Sequence, residues 1–191
     1  MRKVIAAALF AAGFITQAAV AAPVQWTIAS GGNDHYYEFV SDLVDWDAAL
    51  AGAQSMSYLG MTGYLATLVD ADENRFASGT VAGGVLAWIS GSDNGAEGSW
   101  TWRAGPEAGM ALTYFNWASG EPNNCCDGEN YLQTNWGTLT WNDHGGPGNS
   151  GQANGYLVEY SADPDRLPEP ASLALVLAAA AGIAVARRRA R

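Results

Sequence analysis

The sequence predicts an α+β domain, and three observations carry that prediction. Two stretches with apolar residues at helical spacing lie early in the chain, at 45–56 and 70–79. From Gly79 onward, brief apolar runs alternate with long polar loops rich in glycine and tryptophan. No internal repeat joins them, and helices followed by strands, rather than alternating units, exclude a parallel α/β sheet.

Each element has a local reason. Residues 1–21 place Arg2 and Lys3 before an apolar run that ends in Ala19-Val20-Ala21. This is the order of a secretory signal peptide, with cleavage predicted after Ala21. Tyr36 to Val40 ("YYEFV") reads as a strand. Behind it, Asp45 is placed to cap a helix whose Trp46, Ala49, Leu50 and Ala53 share one face. "GYLATL" is a short strand, and "DADENRFASG" opens with Asp70 and Glu73 in capping-box register. "VLAWIS", "GSWTW", "TLTW" and "GYLVEY" are brief strands. The loops Thr113–Asn130 and Asp143–Gly155 are long enough to suggest function or a ligand.

After the domain, predicted to span 22–163, comes a separate segment, 164–191. Ala171 to Ala186 is an apolar run of sixteen residues, followed by Arg187, Arg188, Arg189 and Arg191. It falls a little short of the roughly 20 residues that cross a bilayer comfortably. The arginines would stay on the cytoplasmic side and leave the domain outside.

Without residues 1–21 and 171–191, three basic residues (Arg75, Arg103, Arg166) face 19 acids, a net charge near −16. Such a chain has nothing to displace counterions from a phosphate backbone, which excludes nucleic acid as a partner. Cations and neutral polar ligands fit instead. The acids crowd most tightly in "FNWASGEPNNCCDGENY", residues 115–131, where Glu121, Asp127 and Glu129 stand among asparagines without a lysine or arginine.

Several pieces then fall into a known order. "WDAALAGAQSM", "GYLATLVDADENRF", "WISGSDNGAEGSWTW", "FNWASGEPNN", "WND" and "GYLVEY" resemble the C-type lectin-like domain from about Tyr36 to Tyr160. The most specific parts are Glu121-Pro122-Asn123, Glu129 eight residues after Glu121, and Trp141-Asn142-Asp143. The resemblance implies a compact α+β fold whose long loop binds Ca²⁺, with a cis peptide before Pro122 and a sugar held by the ion. Glu-Pro-Asn implies sugars with adjacent equatorial hydroxyls, such as mannose, glucose, fucose or N-acetylglucosamine, over galactose.

The residue chemistry agrees. A hard cation takes roughly 6 to 8 oxygen ligands from carboxylates and amide carbonyls. Glu121, Asn123, Glu129, Asn142 and Asp143 offer three anionic and two neutral side chains of that kind. A carboxylate only accepts hydrogen bonds, whereas an asparagine also donates, so one Glu/Asn pair can satisfy both roles of a hydroxyl. Glu121, Asn123, Glu129, Asn142 and His144 are therefore the predicted sugar contacts. Asp93 and Glu97 match two acids of an auxiliary calcium position in the family. Its remaining places hold Asn124 and Asn130, and the loss of two charges would weaken it.

Departures also matter. The family's usual disulfide positions are occupied by Ala53, Tyr131, about Gly146, and Val158, where Ala53 and Val158 can pack instead. The two cysteines, Cys125 and Cys126, are adjacent; a vicinal disulfide, free thiols and an interchain link all remain open. Trp46, Trp88, Trp100, Trp102 and Trp141 are expected in the core, while Trp117, Trp136 and His144 lie near the loop. With two histidines, His35 and His144, a multi-histidine zinc site is excluded.

The C-terminal segment, with Pro168-Glu169-Pro170 before the apolar run and basic tail, resembles the PEP-CTERM sorting signal of Gram-negative bacteria. It implies handling by an exosortase, a transient membrane helix, and export alongside surface polysaccharide. The expected function is a non-catalytic, calcium-dependent carbohydrate-binding protein of the periplasm, cell surface or extracellular matrix. The competing class is a matrix or adhesion protein that uses the fold for protein contacts. A glycosidase built on Glu121 and Glu129 is disfavoured, because both carboxylates would have to leave the metal.

Overall fold

The structure, a computed structural model, describes residues 22–126, 128–146 and 151–162. The predicted signal peptide (1–21), the segment 164–191 with its expected sorting signal, apolar run and arginines, and Asp127 lie outside the described residues. Among the described residues, no helix is long and apolar enough to cross a membrane.

In chain order the elements are β1 (Val24–Gln25), β2 (Tyr36–Val40), α1 (Trp46–Ser55), β3 (Ser57–Tyr58), β4 (Met61–Thr62) and β5 (Tyr64–Leu65). Then follow α2 (Ala71–Asn74), β6 (Ala87–Ser92), β7 (Thr101–Trp102), β8 (Tyr131–Thr134), β9 (Trp141–His144) and β10 (Tyr156–Tyr160). The main sheet runs β1-β2-β10-β6-β8-β9, with β5 on β10 and β7 on β6. Pairing is antiparallel except between β10 and β6. This is the α+β architecture the sequence predicts.

Asp45 caps α1 as expected, accepting from the Ala48 amide at 2.8 Å. Asp70 caps α2 through the Asp72 and Glu73 amides at 2.9 and 2.8 Å. The reciprocal half of the expected capping box differs. Glu73 accepts from the Val69 amide at 2.6 Å and turns inward to Tyr37 and Asn33. Beyond Asn74 the helix widens into a π-helical segment, Arg75–Val81. "TLTW" differs as well, because the strand begins at Trp141. Asn135 and Leu139 take positive φ (67° and 61°) and close a turn before it. The short β8 is hidden in sequence by Gln133 and Thr134, polar residues that its two neighbours β6 and β9 bury.

Two apolar clusters make up the core. Trp46, Trp88, Trp100, Trp102 and Trp141 are all buried, as expected. Buried indoles need an acceptor for N–H. Trp46 donates to the Ile89 carbonyl at 2.9 Å, Trp88 to Val44 at 2.8 Å, and Trp141 to Asn74 Oδ1 at 2.8 Å. Ala53 and Val158 are fully buried in one cluster, so apolar packing occupies that position. Tyr131 stacks on Trp46 with centroids 4.6 Å apart.

Candidate functional site

The loop between β7 and β8 is pinned to the start of β9. Trp141 N donates to the Asn116 carbonyl at 2.7 Å, and Ala118 N to the Trp141 carbonyl at 2.8 Å. Glu121 N then donates to Ala118 at 3.1 Å, which carries Glu121 toward the middle of β9. The Glu121–Pro122 peptide is cis. Past the proline, the Asn123 and Asn124 amides donate to Asp143 Oδ1 and Oδ2 at 3.1 and 2.7 Å.

Glu129 closes the ring from the other side. Its Oε2 accepts from the Cys125 amide at 3.1 Å and its Oε1 lies 3.2 Å from His144 Nδ1. The same Cys125 amide donates to Asn123 Oδ1 at 2.9 Å. Glu121, Asn123, Glu129 and Asp143 thus lie along one patch linked by backbone amides, with the ligand atoms of the three carboxylates not all within 4.8 Å of one another. Asn142 lies next to Asp143 on β9, buried, opposite Gln133.

The charges are poorly compensated. Burial raises the Glu121 carboxyl above its ordinary range; the Asp143 charge, a hydrogen bond with Asp143, and the Glu129 charge raise it further. Glu121 Oε2 is buried with no hydrogen-bond partner. A buried acceptor without a donor is destabilising unless something positive reaches it. An oxygen-only set of side chains around such an atom fits a hard cation.

The auxiliary positions adjoin this patch. Asp93, 3 % exposed, accepts from the Gly98 amide at 2.8 Å through Oδ2, while its Oδ1 is buried without a partner. Burial and the Asp143 charge raise Asp93, although the Gly98 hydrogen bond opposes them. Glu97 accepts from Asn124 Nδ2 at 2.7 Å. Asn124 Oδ1 in turn accepts from the Glu129 amide at 2.8 Å. Asn130 Nδ2 makes a long contact with Asn94 Oδ1, 3.5 Å, and its carbonyl accepts from the Asp93 amide at 3.2 Å.

The flanking aromatics divide. His144 is half-buried and stacked on Trp88, with centroids 5.7 Å apart, so it braces Glu129 from the side. Trp117 packs against Trp100 at 5.0 Å and Trp141 at 6.2 Å. Trp136 is 54 % exposed on the β8–β9 turn. Of the options open for the cysteines, the structure shows the vicinal disulfide, Cys125–Cys126.

A second polar centre escaped the sequence reading. His35, Glu73 and Glu159 bring their ligand atoms within 4.8 Å of one another, the sole such trio among the described residues. His35 Nδ1 lies 2.6 Å from Glu159 Oε1. Glu73 Oε1 takes Asn33 and Tyr37, its Oε2 takes Val69, and Glu159 Oε2 takes the Thr67 amide and hydroxyl. Every carboxylate oxygen already accepts, so the trio works as a lock joining β2, α2 and β10. Their sequence separation is large, and no local spacing points to them.

No protein-family model matches the chain. It is 39 % identical over 136 residues to halomucin of Haloquadratum walsbyi, covering 66 % of this chain but 1 % of halomucin. It is 31 % identical over 112 residues to the C-type lectin lectoxin-Lio3 of Erythrolamprus poecilogyrus, covering 56 % of this chain and 65 % of that protein. Among solved structures, C-type lectin CEL-I of Cucumaria echinata superimposes with a TM-score of 0.55 and 26 % identity, over 69 % of this chain and 94 % of CEL-I. The EPNH mutant of CEL-I does so at 0.56 and 28 %, over 69 % and 93 %. The fold is that of a C-type lectin-like domain, a fold that suggests carbohydrate binding.

Proposed function

We propose that this chain is a non-catalytic, calcium-dependent carbohydrate-binding protein exported to the envelope of a Gram-negative bacterium. Glu121, Asn123, Glu129, Asn142 and Asp143 hold the ion. The observation that carries the reading is the orphaned, buried Glu121 Oε2, set among Asp143 and Glu129 with no basic side chain in its loop. Calcium supplies the missing positive charge and open coordination positions for two adjacent hydroxyls. Glu121 and Glu129 accept hydrogen bonds from those hydroxyls, and Asn123 and Asn142 donate to them. His144 walls the sugar's edge. Asp93, Glu97, Asn124 and Asn130 form a weaker second position.

Glu-Pro-Asn favours mannose- or glucose-type sugars, and exopolysaccharide is the natural target. The signal peptide (1–21) and the sorting segment (164–191), acted on by an exosortase, deliver the domain, with the C-terminal helix as a transient anchor. A single shallow sugar contact binds at about millimolar strength and gains from multivalency.

Titration calorimetry with mannose and galactose, each with and without calcium, tests this. Heat is expected for mannose in calcium alone. No sugar response in calcium would favour the matrix or adhesion class, and hydrolysis surviving a chelator would revive the glycosidase. Calcium should also raise the melting temperature of the parent, and far less that of Glu121→Ala and Asn142→Ala.

A further inference from the structure

We propose that the Cys125–Cys126 disulfide is a redox-addressable brace for the ion-holding loop, so that its reduction weakens calcium binding. This rests on the calcium reading above.

The Cys125 amide is a junction between two of the proposed ligands, donating to Asn123 Oδ1 at 2.9 Å and to Glu129 Oε2 at 3.1 Å. The Cys125 carbonyl accepts from Gly128 N at 3.0 Å. On either side of Cys125, Asn124 and Cys126 hold positive φ (46° and 60°), a region that asparagine tolerates but cysteine occupies with difficulty. Asn124 N meanwhile grips Asp143 Oδ2 at 2.7 Å. The loop's hydrogen bonds therefore depend on a left-handed turn at Asn124 and on an unfavourable backbone conformation at Cys126. Joining adjacent side chains in a small ring removes the freedom with which that stretch would relax.

Access fits the chemistry. Cys126 is exposed and Cys125 half-buried. A thiolate of an external dithiol attacks Cys126 Sγ, the Cys125–Cys126 bond breaks, and Cys125 leaves as a thiolate that takes a proton. The dithiol's second sulfur then displaces Cys126, which also takes a proton. The chain ends with two thiols, and the dithiol ends as its own disulfide.

The test compares the full chain before and after treatment with dithiothreitol, desalted without oxygen, with thiol titration to confirm two new thiols. Calcium affinity by calorimetry is expected to fall about tenfold, because at least one residue's ordering entropy returns to the unbound loop. Exchange of the Asn124 and Cys125 amides in calcium-free protein is expected to quicken. A Cys125→Ser/Cys126→Ser variant should match the reduced chain and ignore the dithiol. If oxidised and reduced chains bind calcium within about twofold of each other, with unchanged amide protection, the brace is overturned. If the oxidised chain binds no calcium, the calcium reading falls instead, and amide exchange still judges the brace.

Discussion

Replacing Tyr37 with phenylalanine probes how the buried polar lock holds the two halves of the sheet. Tyr37 is fully buried on β2, and its hydroxyl donates to Glu73 Oε1 at 2.5 Å. It also receives Asn33 Nδ2 at 2.8 Å and lies 3.4 Å from Glu159 Oε1. Glu73 and Glu159 are 2 % and 1 % exposed, so water does not replace a lost donor. The phenylalanine ring keeps the edge contact with Phe76, which isolates the hydroxyl. A hydrogen bond to an ionised, buried group contributes about 2 kcal/mol. For a domain of this size that is a fall in melting temperature of roughly 6 °C.

The loss also depends on pH. Burial, then the Glu159 charge, pushes Glu73 up to about 7. Burial would lower His35, but the Glu159 hydrogen bond and charge, with the charges of Glu73 and Glu107, outweigh it and raise the imidazole. Both groups therefore hold protons in the folded chain that the unfolded chain has released. Their contribution is fully present below the ordinary carboxylate range and is lost as pH rises through about 7 and past the ordinary histidine value. The parent should melt higher at pH 5 than at pH 8. The Tyr37→Phe deficit should be larger at pH 8, where Glu73 is ionised and the lost bond was charge-assisted. Differential scanning calorimetry at both values reads this directly. A variant that melts within about 1 °C of the parent at pH 8 refutes the reasoning.

Two further outcomes follow from the orphaned atoms. Gln133 is 1 % exposed and neither of its amide atoms has a partner, so Gln133→Leu should stabilise the calcium-free domain by about 1 kcal/mol in urea unfolding. Glu121 is raised above its ordinary range by burial, Asp143 and Glu129, and an ion needs it deprotonated. The calcium-induced rise in melting temperature should accordingly shrink as pH falls toward that raised value, and an unchanged rise at acid pH would exclude Glu121 as a ligand.

How much of this was legible in the sequence differs by feature. α1, with Asp45 before Trp46, Ala49 and Ala53, follows local rules, and the structure keeps them. The loop's acids are grouped through the resemblance carried by Glu121-Pro122-Asn123, Glu129 and Trp141-Asn142-Asp143, the last of which lies on β9. The lock of His35, Glu73 and Glu159 was not legible, since β2, α2 and β10 meet only in three dimensions and Glu73 mimics a capping residue. β8 was hidden for a related reason. Its Gln133 and Thr134 are buried by neighbours rather than by their own polarity, and a period-two pattern cannot register that.

The anchoring of the loop on β9 also fixes how the domain meets mechanical load. β9 is the last strand of the sheet, held by four residue pairs to β8 and, at Trp141, by the backbone of the loop. Tension applied through anything gripped at Glu121 passes by Ala118 and Trp141 into that edge. Yielding would start there, by peeling β9, while the central strands and the lock at the opposite side stay intact. Behind the edge, Leu139's carbonyl takes the amides of Asn74 and Asn116 at 2.9 and 2.6 Å, a rivet between α2 and the base of the loop.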